Sequence, residues 1–248
     1  MERADRVVCP FSFTHIHTVE RPLICDYTVM TKAFIFDVDG TLVDSVDAHA
    51  RSWTETLQEF GYDVDFPHVR AQIGKGGDQL MAEFLSKKDL KGEGKEIENA
   101  RKERFQKNYL PRVKGFPKTR ELFERILADG KKIVLGSSAA GDELKTYKER
   151  ADIADLIHDE TSKDDAEKSK PHPDIFQAAL KSLNGIPKEE VVVIGDSPWD
   201  AIAAKRAGLR AIAVLCGGFS EDDLRDAGFI AVYKDPADLL ARYETLPL

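Results

Sequence analysis

The chain has 248 residues, 42% of them hydrophobic and 32% charged, and a formal net charge of −8 at pH 7. That length suits one α/β domain or a core domain with a smaller insertion, and the acidic balance excludes a general nucleic-acid binder, which needs a basic face. No apolar run approaches the roughly 20 residues that span a bilayer, so no membrane partner is expected.

Residues 1–29 carry Arg3, Arg6 and Arg21 beside Glu2, Asp5, Glu20 and Asp26, with no apolar stretch of signal-peptide length. They read as an extension outside the fold, and Met30 stands just before the first strand. Cys9, His15, His17 and Cys25 in this leader lack zinc-finger spacing and read as chance neighbours. The three cysteines, Cys9, Cys25 and Cys216, are an odd and scattered set. They predict a reducing, cytoplasmic setting and no disulfide scaffold.

The first strand is the apolar run Ala33–Phe36, followed at once by Asp37, Val38, Asp39 and a Gly-Thr turn. Ionised carboxylates are costly to bury without a partner. A bound cation would remove that cost and could serve chemistry on an anionic substrate. From 46 to 114 the periodicity is helical, with no confident strand. Trp53, Leu57 and Phe60 form one apolar stripe, Leu80, Phe84 and Leu85 a second, and Ile97, Phe105 and Tyr109 a third. This reads as an all-helical inserted domain, hinged at 44–46 and 112–117, between two parts of a core formed by 30–45 and 115–248. The charged, glycine-bearing segment 86–98 reads as a solvated loop within it.

Beyond the insertion, strands are expected at Lys132–Leu135, Val191–Ile194 and Ala211–Leu215, with a short one at Ala231–Tyr233. The first three are continuous apolar runs, as in strands covered on both faces. Helical patterns at Lys118–Ala128, Asp142–Arg150, Asp174–Leu183 and Ala201–Ala207 alternate with them, and Gly130, Gly185 and Gly208 stand at helix C-terminal positions. Alternation of this kind predicts a doubly wound parallel sheet. Ligands bind such sheets beyond the carboxyl ends of the strands. Asp37, Asp39, Ser137, Ser138 and Asp196 all follow expected strands, so they are expected at one edge.

Four pieces stand in order: DVDGT at 37–41, GSS at 136–138, SKPHPDIF at 169–176 and GDSPWD at 195–200. Alone, each has an ordinary reading. Asp39-Gly40 can be a turn, Ser137 a helix cap, Lys170 a surface lysine and Asp200 a helix-start residue. Together, in this order and spacing, they resemble the haloacid dehalogenase superfamily of phosphotransferases over most of 32–235. The helical insertion sits where that superfamily carries its cap. The resemblance implies a Rossmann-like core and an aspartyl-phosphate mechanism. Asp37 would be the nucleophile and Asp39 the acid and base. Mg²⁺ would be held by Asp37, the Asp39 carbonyl and Asp196. Lys170 would neutralise the nucleophile, Ser137 would bond the phosphoryl group, Asp200 would orient Lys170 or metal-bound water, and Thr41 and Ser138 would support the loops.

Asp44-Ser45, His49 and Trp53 further resemble the branch with β-phosphoglucomutase and phosphoglycolate phosphatases. There His49 would position Asp39 as the cap closes, or stand as a helix-surface histidine, while Trp53 reads as cap core. The loop Ile73-Gly74-Lys75-Gly76-Gly77-Asp78 is either a specificity loop, with Lys75 meeting a second substrate anion, or a solvated turn. Thr41, the Ala139-Ala140 pair after the serines, and the lack of an arginine near Lys75 favour hydrolysis. The expectation is therefore a phosphatase of a small phosphorylated metabolite, a sugar phosphate or phosphoglycolate-like, working as monomer or homodimer. A sugar-phosphate mutase is the alternative.

Overall fold

The computed structural model describes residues 30–139, 141–162 and 165–248. The leader 1–29, with the reading of Cys9, His15, His17 and Cys25 made above, lies outside the described residues.

Six parallel strands form one sheet: β1 (Ala33–Phe36), β2 (Lys132–Gly136), β3 (Asp159–Thr161), β4 (Val191–Gly195), β5 (Arg210–Val214) and β6 (Ala231–Tyr233), ordered β3-β2-β1-β4-β5-β6. Strand order reverses between β1 and β4, which makes their carboxyl ends the switch point of a doubly wound fold. Alternate residues of each strand enter opposite layers. Phe34, Phe36, Ile133, Leu135, Val192 and Ile194 pack in one, and Ala33, Ile35, Val134, Val191 and Val193 in the other. Helices α6 (Thr119–Ala128) and α7 (Gly141–Ala151) cover the first layer, while α8 (Asp174–Ser182) and α9 (Pro198–Ala207) cover the second.

Between β1 and α6 lie α1 (Val46–Glu59), α2 (Phe66–Arg70), α3 (Gly77–Phe84), α4 (Lys87–Gly92) and α5 (Gly94–Asn108). Val46, Ala50, Trp53, Leu57, Val69, Ile73, Leu80 and Ile97 form a separate apolar cluster there. The two chain segments joining these helices to the sheet are bonded to each other. Asp44 N–H donates to the Lys114 carbonyl at 2.8 Å, and Phe116 N–H to that of Leu42 at 2.9 Å.

Two expectations need correction. The solvated loop expected over 86–98 is helical: Ser86 accepts from the Asp89 N–H and caps α4, and α5 follows at once. No residue of α4 is buried, so it lacks the apolar stripe that marks a helix in sequence. The strand β3 was not expected because it is the polar edge segment Asp-Glu-Thr, in which only Thr161 is buried. Two further helices, α10 (Glu221–Ala227) and α11 (Pro236–Ala241), complete the C-terminal third. Among the described residues no helix is long and apolar enough to cross a membrane.

Gly115 lies where the chain returns to the core, against α7. A Cβ there would meet the Arg150 carbonyl oxygen at 2.5 Å and the Ala151 Cα at 2.7 Å, which are backbone atoms that cannot swing aside. Gly115→Ala is expected to cost about 1–3 kcal/mol of stability. Urea unfolding measures this, and an unshifted midpoint would show that the segment gives way freely.

Candidate active site

The register places Phe36 beside both Leu135 and Ile194, so the residues after β1, β2 and β4 share one edge. Asp37 N–H still donates to the Ile194 carbonyl at 2.8 Å, which fixes its backbone as if the strand continued. The turn then requires a left-handed residue, supplied by Gly40 with φ of 75°. It delivers Thr41, whose hydroxyl donates to Asp196 Oδ1 at 3.0 Å and ties the first loop to the β4 loop.

Lys170 is 2% exposed. Its ammonium bonds the Asp37 carboxylate, donates to Asp200 Oδ1 at 2.7 Å and lies 5.2 Å from the Phe176 ring centroid. Asp200 is held from behind, its Oδ2 accepting from the Ser197 hydroxyl at 2.6 Å and the Ser197 N–H at 3.1 Å. Asp200 thus completes a capping box for α9, its ordinary helix-start reading, while its other oxygen bonds Lys170. Burial pushes the Asp37 carboxyl up to about 7 against the pull of Lys170, with Asp200 and Asp39 adding repulsion. Burial, then the charges of Asp200 and Asp37, push Asp196 well above the carboxylate range. Desolvation works against the Lys170 ammonium, but Asp200 and Asp37 hold it charged.

Asp37, Asp196 and Asp200 present carboxylate oxygens within 4.8 Å of one another, all buried. Three carboxylates around one ammonium leave negative charge uncompensated, and an all-oxygen donor set suits a hard cation. The packing agrees: a Cβ at Gly40 or Gly217 would run into the Asp196 carboxylate, so both positions are kept clear around it. The residues present therefore fit a divalent metal ion.

Asp39 sits in a second network. Its Oδ1 accepts from the Ser45 hydroxyl at 2.5 Å and meets His49 Nε2 at 2.8 Å. The same nitrogen lies 3.0 Å from the Tyr147 hydroxyl, which donates to Glu143 Oε1 at 3.1 Å. Burial raises the Asp39 carboxyl, but the His49 charge and bonds from His49, Ser45 and Tyr147 outweigh it and hold the carboxyl below its ordinary value. His49 is buried and stacked 4.0 Å from the Phe105 ring, which answers the surface alternative left open by the sequence.

A cavity runs from Asp37, Asp39 and Lys170 outward between His49, Trp53, the 73–77 loop, Arg101 and Ser138. Ser138 lines it, whereas Ser137 is wholly buried, its hydroxyl accepting from the Ala139 N–H at 3.0 Å. Lys75 and Gly76 form part of the wall. The Lys75 ammonium, however, is taken up by Gln72 at 2.6 Å, Glu83 at 2.7 Å and the Trp199 ring at 4.1 Å. Gly76 abuts Ser169 so closely that a Cβ would overlap it. Sequence reasoning missed Arg101, Glu143 and Tyr147. Arg101 carried a signal: it stands on the Ile97–Phe105–Tyr109 stripe, at intervals of four, where an apolar residue is expected.

Residues 34–214 match the haloacid dehalogenase-like hydrolase family. The chain belongs to that family, and its core motifs form the buried edge just described. It is 30% identical over 219 residues to a phosphoglycolate phosphatase of Rhodospirillum rubrum, covering 85% of this chain and 90% of that one. It is 34% identical to the SUPPRESSOR OF QUENCHING 1 protein of Arabidopsis thaliana, over 79% of this chain but 19% of that far longer protein. The solved structure of a hydrolase from Pseudomonas syringae superposes with a TM-score of 0.79 at 27% identity, covering 87% of this chain and 99% of that one.

The raised Asp37 carboxyl has a stability consequence. Without metal, the folded chain keeps this proton up to about 7, while an unfolded carboxyl loses it near 3.8. The folded state binds the extra proton between those values, so the contribution of Asp37 to stability falls as pH rises through that window. Asp37→Asn removes the titration. Denaturant unfolding in chelator at about pH 5 and about pH 8 is expected to show the variant gaining on the parent at the higher pH. An equal offset at both would mean that Asp37 titrates normally.

Proposed function

We propose that the chain is a Mg²⁺-dependent phosphomonoester hydrolase acting on a small phosphorylated metabolite in a reducing, cytoplasmic setting. Helices of 46–114 would serve as a cap on a core of 30–45 and 115–248. The observation that carries the reading is the Lys170 ammonium buried between Asp37 and Asp200, with Asp39 and Asp196 at the same strand edge. The similarity to a phosphoglycolate phosphatase supports the same class.

Phosphoryl transfer is dominated by positioning and charge stabilisation. A Mg²⁺ ion held by the Asp37 and Asp196 carboxylates and the Asp39 carbonyl would neutralise charge on the nucleophile and phosphoryl oxygens. An Asp37 oxygen attacks phosphorus, and the bond to the leaving oxygen breaks as Asp39 delivers a proton to it. Asp39 then takes a proton from water as that water attacks the aspartyl-phosphate, releasing inorganic phosphate and restoring the Asp37 carboxylate. Because Asp39 is held as a carboxylate at rest, the proton it delivers must arrive with the substrate, while His49 Nε2, 2.8 Å away, positions that carboxylate. Lys170 offsets the charge of Asp37 throughout, and Ser138, which lines the cavity, would bond the phosphoryl group in place of the buried Ser137.

Asp37→Asn is expected to lower phosphate release by at least about 10³-fold while leaving the unfolding transition cooperative. Excess chelator should abolish release and added Mg²⁺ should restore it. Full turnover by the variant, or full activity in chelator, would overturn the mechanism. Isomerisation of a sugar phosphate without free phosphate would assign the mutase instead.

A further inference from the structure

The sequence pointed to Lys75 as the residue meeting a second substrate anion. The structure spends that ammonium on Gln72, Glu83 and Trp199. Arg101 of α5 stands differently. It lines the same cavity, its guanidinium 5.0 Å from the Trp53 ring centroid and 5.4 Å from that of Phe105. Its buried Nε has no hydrogen-bond partner among the described residues. One terminal nitrogen lies 3.4 Å from His49 Nδ1, a contact at the long limit of a hydrogen bond. A buried guanidinium N–H left without an acceptor is costly, and guanidinium's planar fork is matched by a carboxylate or phosphate. The two aromatic faces hold that fork in one plane, which reduces the freedom lost when an oxyanion binds.

The placement fixes which part of a substrate Arg101 would meet. His49 reaches Asp39 with Nε2 and faces Arg101 with Nδ1, so the guanidinium is one imidazole ring away from the Asp39 carboxylate. Asp39 serves the leaving oxygen, and whatever follows that oxygen in the substrate therefore points towards Arg101. Glu98 and Lys102, on the same helix, also line the cavity and bring one charge of each sign.

We propose that Arg101 is a specificity residue that binds a second oxyanion, a carboxylate or a second phosphate, a few atoms beyond the ester oxygen. The preferred substrates are then doubly anionic small phosphate esters. This rests on the phosphatase reading above.

The test compares three esters of similar length with Mg²⁺ present: phosphoglycolate, glycol bisphosphate and hydroxyethyl phosphate, which ends in a neutral hydroxyl. Nitrophenyl phosphate serves as a general reporter. The parent chain is expected to favour one charged ester over hydroxyethyl phosphate by about 10–100-fold in kcat/KM, and the one favoured tells carboxylate from phosphate. In Arg101→Gln the ratio of charged-ester to hydroxyethyl phosphate kcat/KM should fall at least about 10-fold through the KM of the charged ester, over and above any loss common to both that the His49 contact transmits, and Arg101→Lys should restore part of it. Thermal unfolding of both variants checks that they are folded. No preference in the parent, or an equal loss on charged and neutral esters in a folded Arg101→Gln, overturns the proposal and leaves the phosphatase reading standing. Failure of the parent to hydrolyse any of the four esters overturns the phosphatase reading, and this proposal with it.

Discussion

The catalytic edge depends on one ammonium buried among carboxylates. Lys170 is bonded to Asp37 and Asp200 with Asp196 close behind, so the fold encloses more negative charge than its own cation offsets. Such a cluster is expensive to assemble. The surrounding sequence is arranged to bear that cost: Asp200 is tied into a helix cap, Thr41 bonds Asp196, and glycines at 40 and 217 keep room around its carboxylate. The raised Asp37 and Asp196 carboxyls express the same imbalance, which a divalent cation would relieve.

Much of this edge was legible in the sequence because both of its causes are local. Strands β1, β2 and β4 are continuous apolar runs, and each is followed at once by the polar residues that end up together. The elements that escaped notice lack apolar patterning of their own. β3 is held by pairing to β2 and by the Thr161 hydroxyl on the Leu135 carbonyl at 3.1 Å. α4 presents no buried face. The fate of Lys75 was hidden for another reason: its aromatic partner, Trp199, is brought near only by tertiary packing. Glu143 and Tyr147 were equally hidden, since a Glu and a Tyr one turn apart on an ordinary helix give no sign of the histidine they will meet. Arg101 was partly visible as a charge on an apolar stripe.

The cavity wall is composite. His49 comes from α1 but bonds groups on the first loop and on α7. The 73–77 loop lies against Ser169, Ser197 and Trp199, all within the two later motifs. Arg70 of α2 donates at 3.0 Å to the carbonyl of Gly217, the glycine that packs on Asp196. Residues of the helical segment and of the strand edge thus share hydrogen bonds and close packing.

The alternation of β1 carries one more consequence. Phe34 and Phe36 enter one layer, Ala33 and Ile35 the other, and Asp37 follows without a break in the ladder. A strand has a side-chain period of two, so losing or gaining one residue within β1 would exchange the two layers and turn Asp37 to the opposite side. Single replacements in these four residues change packing by degrees, whereas a one-codon deletion changes parity. Drift in this lineage is therefore expected to be free in side-chain size and closed to changes of length between Ala33 and Asp37.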